Sequence, residues 1–222
     1  MSKELTDFVK RMTNNSVPLH KDLKPYLEKT EQFEQLRHPL VYQVPFISNQ
    51  VANEMYDQKI KMLSKAIKDK NFSQYVFLHE RPYRIDSFMK IKDTLQDVPY
   101  WELLSEIWTD TENMWQHLDD WKILLTSLRP HREMMMSEEE RQFKENMKNR
   151  VQIYRGCEEG VNEVGLSWTL SKEKAEWFAN RFGKNGIVRE RPINKAEIIA
   201  YLNGRGEQEI IVKPFIKNRR KY

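Results

Sequence analysis

The sequence predicts an α+β protein in which a mainly helical region, residues 1–150, precedes a compact, strand-rich portion, residues 151–222. Three observations point there. Glycine is absent before Gly156, and the seven glycines of the 222-residue chain run from there to Gly206, so turns in the first region must rely on Pro, Asn and Asp. Trp101, Leu104, Trp108, Trp115, Leu118, Trp121, Leu125 and Leu128 recur at three- and four-residue steps, which lines one face of a helix with apolar bulk. From Val151 onward the apolar runs shorten to strand length between breaks rich in glycine.

Taken in order, the chain begins with two expected helices, residues 2–13 and 21–36. The Pro-bounded apolar stretch L-V-Y-Q-V-P-F-I follows, and then a helix over residues 49–70. The tryptophan stripe spans 100–128 with an interruption near Asp110 and Thr111; its bulk is assigned to packing, not to ligand stacking. Ser137, followed by Glu138, Glu139 and Glu140, has the form of an N-cap with acids in the first turn and opens a helix to about residue 149. Strands are expected at 151–155 and 166–170. Ser171 then caps a helix whose Ala175, Phe178, Ala179 and Phe182 share a face, with Gly183 closing it. Three more strands, 186–190, 197–201 and 208–212, complete the portion, with N-G-R-G as the turn between the last two. No internal repeat is evident.

Bulk composition excludes several classes. A charged fraction of 32% with 39% hydrophobic residues and six tryptophans describes a folded globular protein. The balance of 37 Lys and Arg against 33 Asp and Glu, a net +4, is too mild to indicate a nucleic-acid protein by itself. The basic residues Lys213, Lys217, Arg219, Arg220 and Lys221 read as a solvated tail. Cys157 is the only cysteine, which rules out an intrachain disulfide framework and a multi-cysteine zinc site and fits a reducing compartment. Nothing resembles a signal peptide, and no stretch approaches the roughly 18 to 20 apolar residues a membrane span needs. The expectation is a cytoplasmic protein without a membrane association.

Familiar motifs are missing: no phosphate loop, no Gly-x-Gly-x-x-Gly, no His-Glu-x-x-His, no Gly-x-Ser-x-Gly elbow. His20, His38, His79, His117 and His131 have no metal-ligand spacing, and no metal is expected. Cys157 lies close to Arg155, which would lower its pKa, but no histidine base accompanies it. Three segments of the strand-rich portion remain: Tyr154-Arg155-Gly156 at the end of one strand, Ser167-Trp168-Thr169 on the next, and Glu207-Gln208-Glu209 at the last. In a strand, i and i+2 share a face about 6.5 to 7 Å apart, so Glu207 and Glu209 would point the same way. The plainest account of that pair is a solvated strand start with Glu207 matched to Arg205.

In that order, with a helix directly after the second, the three segments resemble the Arg, Ser-x-Ser/Thr, Glu-x-Glu signature of mono-ADP-ribosyltransferases of the arginine-specific, cholera-type clade. The resemblance covers about residues 151–214. The phrases Y-R-G and G-L-S-W-T-L-S-K-E-K-A-E-W-F-A also look like small bacterial and bacteriophage-encoded members. It implies an ADP-ribosyltransferase-like NAD-binding core, with residues 1–150 packing on or forming part of the catalytic domain. It also implies NAD as co-substrate and transfer of ADP-ribose to an arginine side chain of a target protein, with release of nicotinamide. By the same resemblance Arg155 would hold the NAD phosphate or adjacent ribose, and Gly156 would bring its backbone to the nicotinamide carboxamide. Ser167 would orient the catalytic Glu209, with Thr169 supporting the strand. Glu209 would accept a hydrogen bond from the nicotinamide-ribose 2′-OH and stabilise the oxocarbenium-like ribose, and Glu207 would engage the acceptor guanidinium.

Ser-Trp-Thr departs from the common Ser-Thr-Ser, and period-2 geometry turns Trp168 away from Ser167 and Thr169. Tyr201 and Arg205 stand close to the acids as acceptor contacts or as strand-end residues. Related phage enzymes make a host transcription or translation component the candidate target, in the host cytoplasm. A nucleic-acid acceptor is kept as a lesser alternative. Two other readings stay open: an NAD glycohydrolase with water as acceptor, and a non-catalytic protein- or RNA-binding module.

Overall fold

The computed structural model describes residues 17–214; the expected helix at 2–13 and all but the first two residues of the basic tail lie outside them. The described chain divides into two compact units, one of residues 17–95 and 110–116, the other of residues 96–109 and 117–214. It is a mixed α/β protein with two antiparallel sheets. Among the described residues no helix is long and apolar enough to cross a membrane.

The first unit corrects the expected helix at 21–36. Leu23 and Leu27, and Phe33 and Leu36, are pairs at helical spacing, yet the segment forms a short 3-10 turn and then β1 (Leu27–Lys29) and β2 (Glu34–His38), which continue into β3 (Val41–Gln43) as an antiparallel sheet. Pro25 lies in the 3-10 turn. The Thr30 hydroxyl closes the hairpin, donating to Phe33 O at 2.7 Å and accepting from Phe33 N at 3.0 Å, a local bond that competes with helix. Leu36 and Val41 are then buried with Leu19, Leu23, Leu40, Ala52 and Tyr56 in one apolar cluster. Ala52 and Tyr56 come from α1 (Asn49–Lys68), which matches the expected helix and is capped by Ser48 Oγ accepting from Val51 N at 3.3 Å. Two short helices follow, α2 (Phe72–Phe77) and α3 (Arg84–Ile91).

The second unit holds the tryptophan core. α4 (Asp97–Asp110) buries Trp101, Leu104 and Trp108, and α5 (Leu118–Leu125) buries Trp121 and Leu125. The interruption expected near Asp110 is real, and it changes the phase of the stripe: Trp115 is 47% exposed and Leu128 98%, so neither belongs to the core. Trp108 and Trp121 meet edge to face with centroids 5.0 Å apart. α6 (Glu138–Glu145) starts with a capping box between Ser137 and Glu140, and it ends four residues before the expected limit.

The five-stranded sheet has the order β6-β4-β5-β8-β7. Its strands are β4 (Arg150–Glu158), β5 (Ser167–Thr169), β6 (Gly186–Asn194), β7 (Ile198–Leu202) and β8 (Glu209–Val212), paired antiparallel throughout. β4 and β6 run longer than expected. Pro192 is tolerated because β6 is an edge strand. α7 (Lys172–Asn180) is capped by Ser171, whose hydroxyl accepts from Lys174 N at 3.2 Å. Gly183 takes φ +57° after it. Ala175 and Ala179 are the residues α7 buries; Phe182 is 46% exposed. That helix sits directly on β4 and β6, because the β-carbons missing from Gly156 and Gly186 would each fall 2.0 Å from a carbonyl oxygen of α7, those of Ala175 and Ala179.

Candidate active site

Sheet order explains how three segments far apart in sequence meet. β4, β5 and β8 are successive neighbours, and they carry Arg155, then Ser167 and Thr169, then Glu209. Thr169 lies opposite Tyr154 on one side and opposite Glu209 on the other. Ser167 pairs with Ile211, two residues beyond Glu209, so Ser167 and Glu209 are diagonal neighbours on one face. The consequence is a hydrogen bond from Ser167 Oγ to Glu209 Oε1. Trp168 pairs with Ile210 and turns to the other layer, as expected. There its indole N–H donates to Gly165 O at 2.7 Å, and the Arg191 guanidinium lies 5.0 Å over its ring.

Glu209 is 6% exposed. The same Oε1 also accepts from Trp108 Nε1 at 3.1 Å. Burial raises its pKa above the ordinary carboxylate value; the Ser167 and Trp108 hydrogen bonds and the Arg205 charge pull it back, and Glu207 adds to the rise. Two neutral donors therefore hold the carboxylate, and the Arg205 guanidinium pairs with it at 3.7 Å through the other oxygen, Oε2. The role of Trp108 goes beyond the packing assigned to the tryptophan stripe. A buried indole N–H needs an acceptor, which was the only signal available, and sequence gave no hint of which one.

Arg155 is half-buried, and burial pushes its pKa down while Cys157 and Glu209 push it up. Its Nε donates to Asn162 O at 2.9 Å and its Nη1 to Ser167 O at 2.5 Å. Arg155, Ser167 and Glu209 thus form a continuous hydrogen-bonded series running through the Ser167 residue. Gly165 makes the seat: a β-carbon there would lie 2.6 Å from Arg155 Cζ. Neither Asn162 nor Gly165 was anticipated. Gly156 lies next to this arginine, but the space at its α-carbon is taken by α7. Cys157 is buried with its pKa raised by that burial, the Arg155 charge opposing it less strongly, so the net shift runs opposite to the lowering expected from Arg155.

Thr169 Oγ1 donates to Glu207 O at 2.7 Å and accepts from Ser171 N at 3.0 Å, tying the start of the acidic segment to the start of α7. The expected strand start is corrected here. β8 begins at Glu209, and Gln208 has φ +48°, in the left-handed region, so Glu207 lies outside the strand and period-2 geometry does not set its direction. Gln208 N donates to Asn203 Oδ1 at 3.1 Å, and Leu170 N to Gln208 O at 3.1 Å, which hold the unusual backbone. The two acids converge all the same, through Arg205. Its Nη2 is 3.0 Å from Glu207 Oε2 and 3.7 Å from Glu209 Oε2, and its Nη1 donates to Thr109 O at 2.8 Å. Tyr201, by contrast, is buried and stacks on Phe143 with centroids 4.4 Å apart. It is a packing residue.

No protein-family model, curated protein or solved structure matches the chain.

Proposed function

We propose that the protein is a mono-ADP-ribosyltransferase that moves ADP-ribose from NAD to an arginine side chain of a target protein. The observation that supports this most is the series Arg155–Ser167–Glu209, in which a buried carboxylate is held by a hydroxyl and an indole N–H with its second oxygen directed at a guanidinium. Breaking the nicotinamide glycosidic bond places positive charge on the ribose, and an oriented carboxylate in low dielectric stabilises that charge far better than one in water. Glu209 takes this role and accepts from the ribose 2′-OH. Ser167 and Trp108 position it, Thr169 sets the segment that carries Glu207, and Arg155 brings positive charge for the NAD phosphates. The main chain of Gly156 would be offered to the nicotinamide end from the side away from α7, which fills the space at its α-carbon. Glu207 receives the proton of the attacking guanidinium.

The domain carrying this chemistry would be an ADP-ribosyltransferase-like core with NAD as co-substrate, acting in the cytoplasm on a protein with an exposed arginine. Incubation with labelled NAD and a cell lysate tests the reading: the wild type labels protein and Glu209→Ala does not. Equal labelling by both, or no NAD binding by either, would falsify it.

A further inference from the structure

The turn between β7 and β8 places a guanidinium where, on the reading above, the acceptor guanidinium belongs. Arg205 offers Nη2 to Glu207 Oε2 and, at 3.7 Å, to Glu209 Oε2, while Nη1 meets the main-chain oxygen of Thr109. Three oxygens, two of them charged and one of these on a buried residue, face one planar fork. An ammonium is a point donor and cannot span such a set; a guanidinium can.

On the proposed reading the acceptor guanidinium belongs at Glu207; we infer that Arg205, held by Glu207, Glu209 and the Thr109 carbonyl, fills that place as an internal stand-in which the acceptor arginine must displace. This deepens the proposed transferase reading and rests on it for its chemical purpose. Two features make displacement feasible. The Arg205 side chain is 45% exposed, and exposed ion pairs contribute little to stability. Arg205 also stands between Gly204 and Gly206, and added β-carbons at both would meet nothing within 4 Å, so the tip of the turn borders open space. The flanks of the turn are pinned instead: Asn203 N donates to Glu140 Oε1 at 2.6 Å and Gln208 N to Asn203 Oδ1 at 3.1 Å. The tip can swing without unfolding β7 or β8.

Once the acceptor replaces Arg205, its nitrogen lone pair attacks the anomeric carbon and an N–C bond forms. The bond to nicotinamide breaks with its electron pair returning to the pyridinium nitrogen, so neutral nicotinamide leaves. The proton on the attacking nitrogen passes to the Glu207 carboxylate.

Calorimetric titration with agmatine, in the absence of NAD, tests the subsite directly. Arg205→Ala binds agmatine at least about 5-fold more tightly than the wild type, and Arg205→Ala combined with Glu207→Gln loses the gain; butylamine shows no gain in either. If the single variant unfolds, which circular dichroism reports, Arg205→Gln carries the same expectation. Agmatine binding no tighter than in the wild type, or a gain that survives loss of Glu207, overturns the inference. A second arm adds NAD: Arg205→Ala lowers the KM for agmatine as acceptor. Should the wild type and every variant fail to cleave NAD, the transferase reading falls, while the binding result still decides the guanidinium subsite.

Discussion

Gly156→Ala separates two reasons for a glycine beside Arg155. As a ligand contact, the glycine would matter for NAD and little for folding. The structure points the other way. A β-carbon at 156 would lie 2.0 Å from Ala175 O, 2.5 Å from Ala179 N and 2.8 Å from Phe178 Cβ. Two of these are backbone atoms of α7, which cannot rotate aside, so the helix must withdraw by about 1.4 Å before ordinary contact is restored. Withdrawal loosens Ala175 and Ala179, both buried, and overpacking of this kind costs about 3 kcal/mol. Urea unfolding followed by far-UV circular dichroism measures the loss, with hydrogen exchange over α7 as the local readout. Gly204→Ala is the internal control: an added β-carbon there has nothing within 4 Å, so its effect stays within about 0.5 kcal/mol. A Gly156→Ala loss as small as the control's would refute the packing argument and leave close approach to a ligand as the reason for the glycine.

Glu209→Gln keeps an oxygen for Ser167 and Trp108 but removes a charge whose pKa burial raises. A raised folded pKa means that the wild type's stability is fullest below the unfolded carboxyl value and is lost as pH rises through the folded one. The variant should therefore melt higher than the wild type at pH 8, with the gap closing toward pH 4; a variant that melts lower at every pH contradicts this. His38, buried between the rings of Tyr26 and Tyr56, has its pKa lowered to about 4 by burial, and its Nδ1 accepts from Leu40 N at 3.1 Å. The sign is opposite: stability is full above the unfolded value of 6.5 and falls as pH drops toward about 4. The loss reaches roughly 3 kcal/mol, and denaturation of His38→Asn across pH 4 to 7.5 should lack that slope. Trp108→Phe removes one of the two neutral donors to Glu209 while retaining an aromatic ring. NAD cleavage kinetics should show kcat down about 10-fold with little change in KM, the size of one positioning hydrogen bond.

What could be read in the sequence follows from the range of the interactions involved. The strand-rich half was legible because its signals are local: Ser171 caps α7, Gly183 adopts positive φ after it, and N-G-R-G turns β7 into β8. Residues 21–36 misled because two pairs, Leu23 with Leu27 and Phe33 with Leu36, have helical spacing, while the partners that favour strands, β3 and Tyr56 of α1, lie beyond them in sequence. The site divides along the same line. Ser167 and Glu209 were recognisable, but their diagonal relation depends on β5 and β8 being neighbours in the sheet. Trp108 was one member of a packing stripe, and nothing within its own helix reveals an acceptor 101 positions away. The shared direction of Glu207 and Glu209 was inferred from strand geometry that Gln208, at φ +48°, does not have. Their convergence comes from Arg205, which local reading had placed beside Glu207 as a simple surface pair.

The surface-pair account explains Glu207 but not Glu209. If Arg205 neutralised Glu209 for stability alone, the pair would be close and enclosed, because a buried charge is worth keeping only when well matched. Instead the guanidinium is 45% exposed and 3.7 Å away, and the contacts that fix Glu209 come from neutral donors. A glutamine would fill the same volume and still accept from Ser167 and Trp108, without the desolvation cost that raises the Glu209 pKa. A carboxylate retained there destabilises the fold for no structural return. Such a cost is characteristic of a group kept for its charge, which is what the proposed transferase reading asks of Glu209.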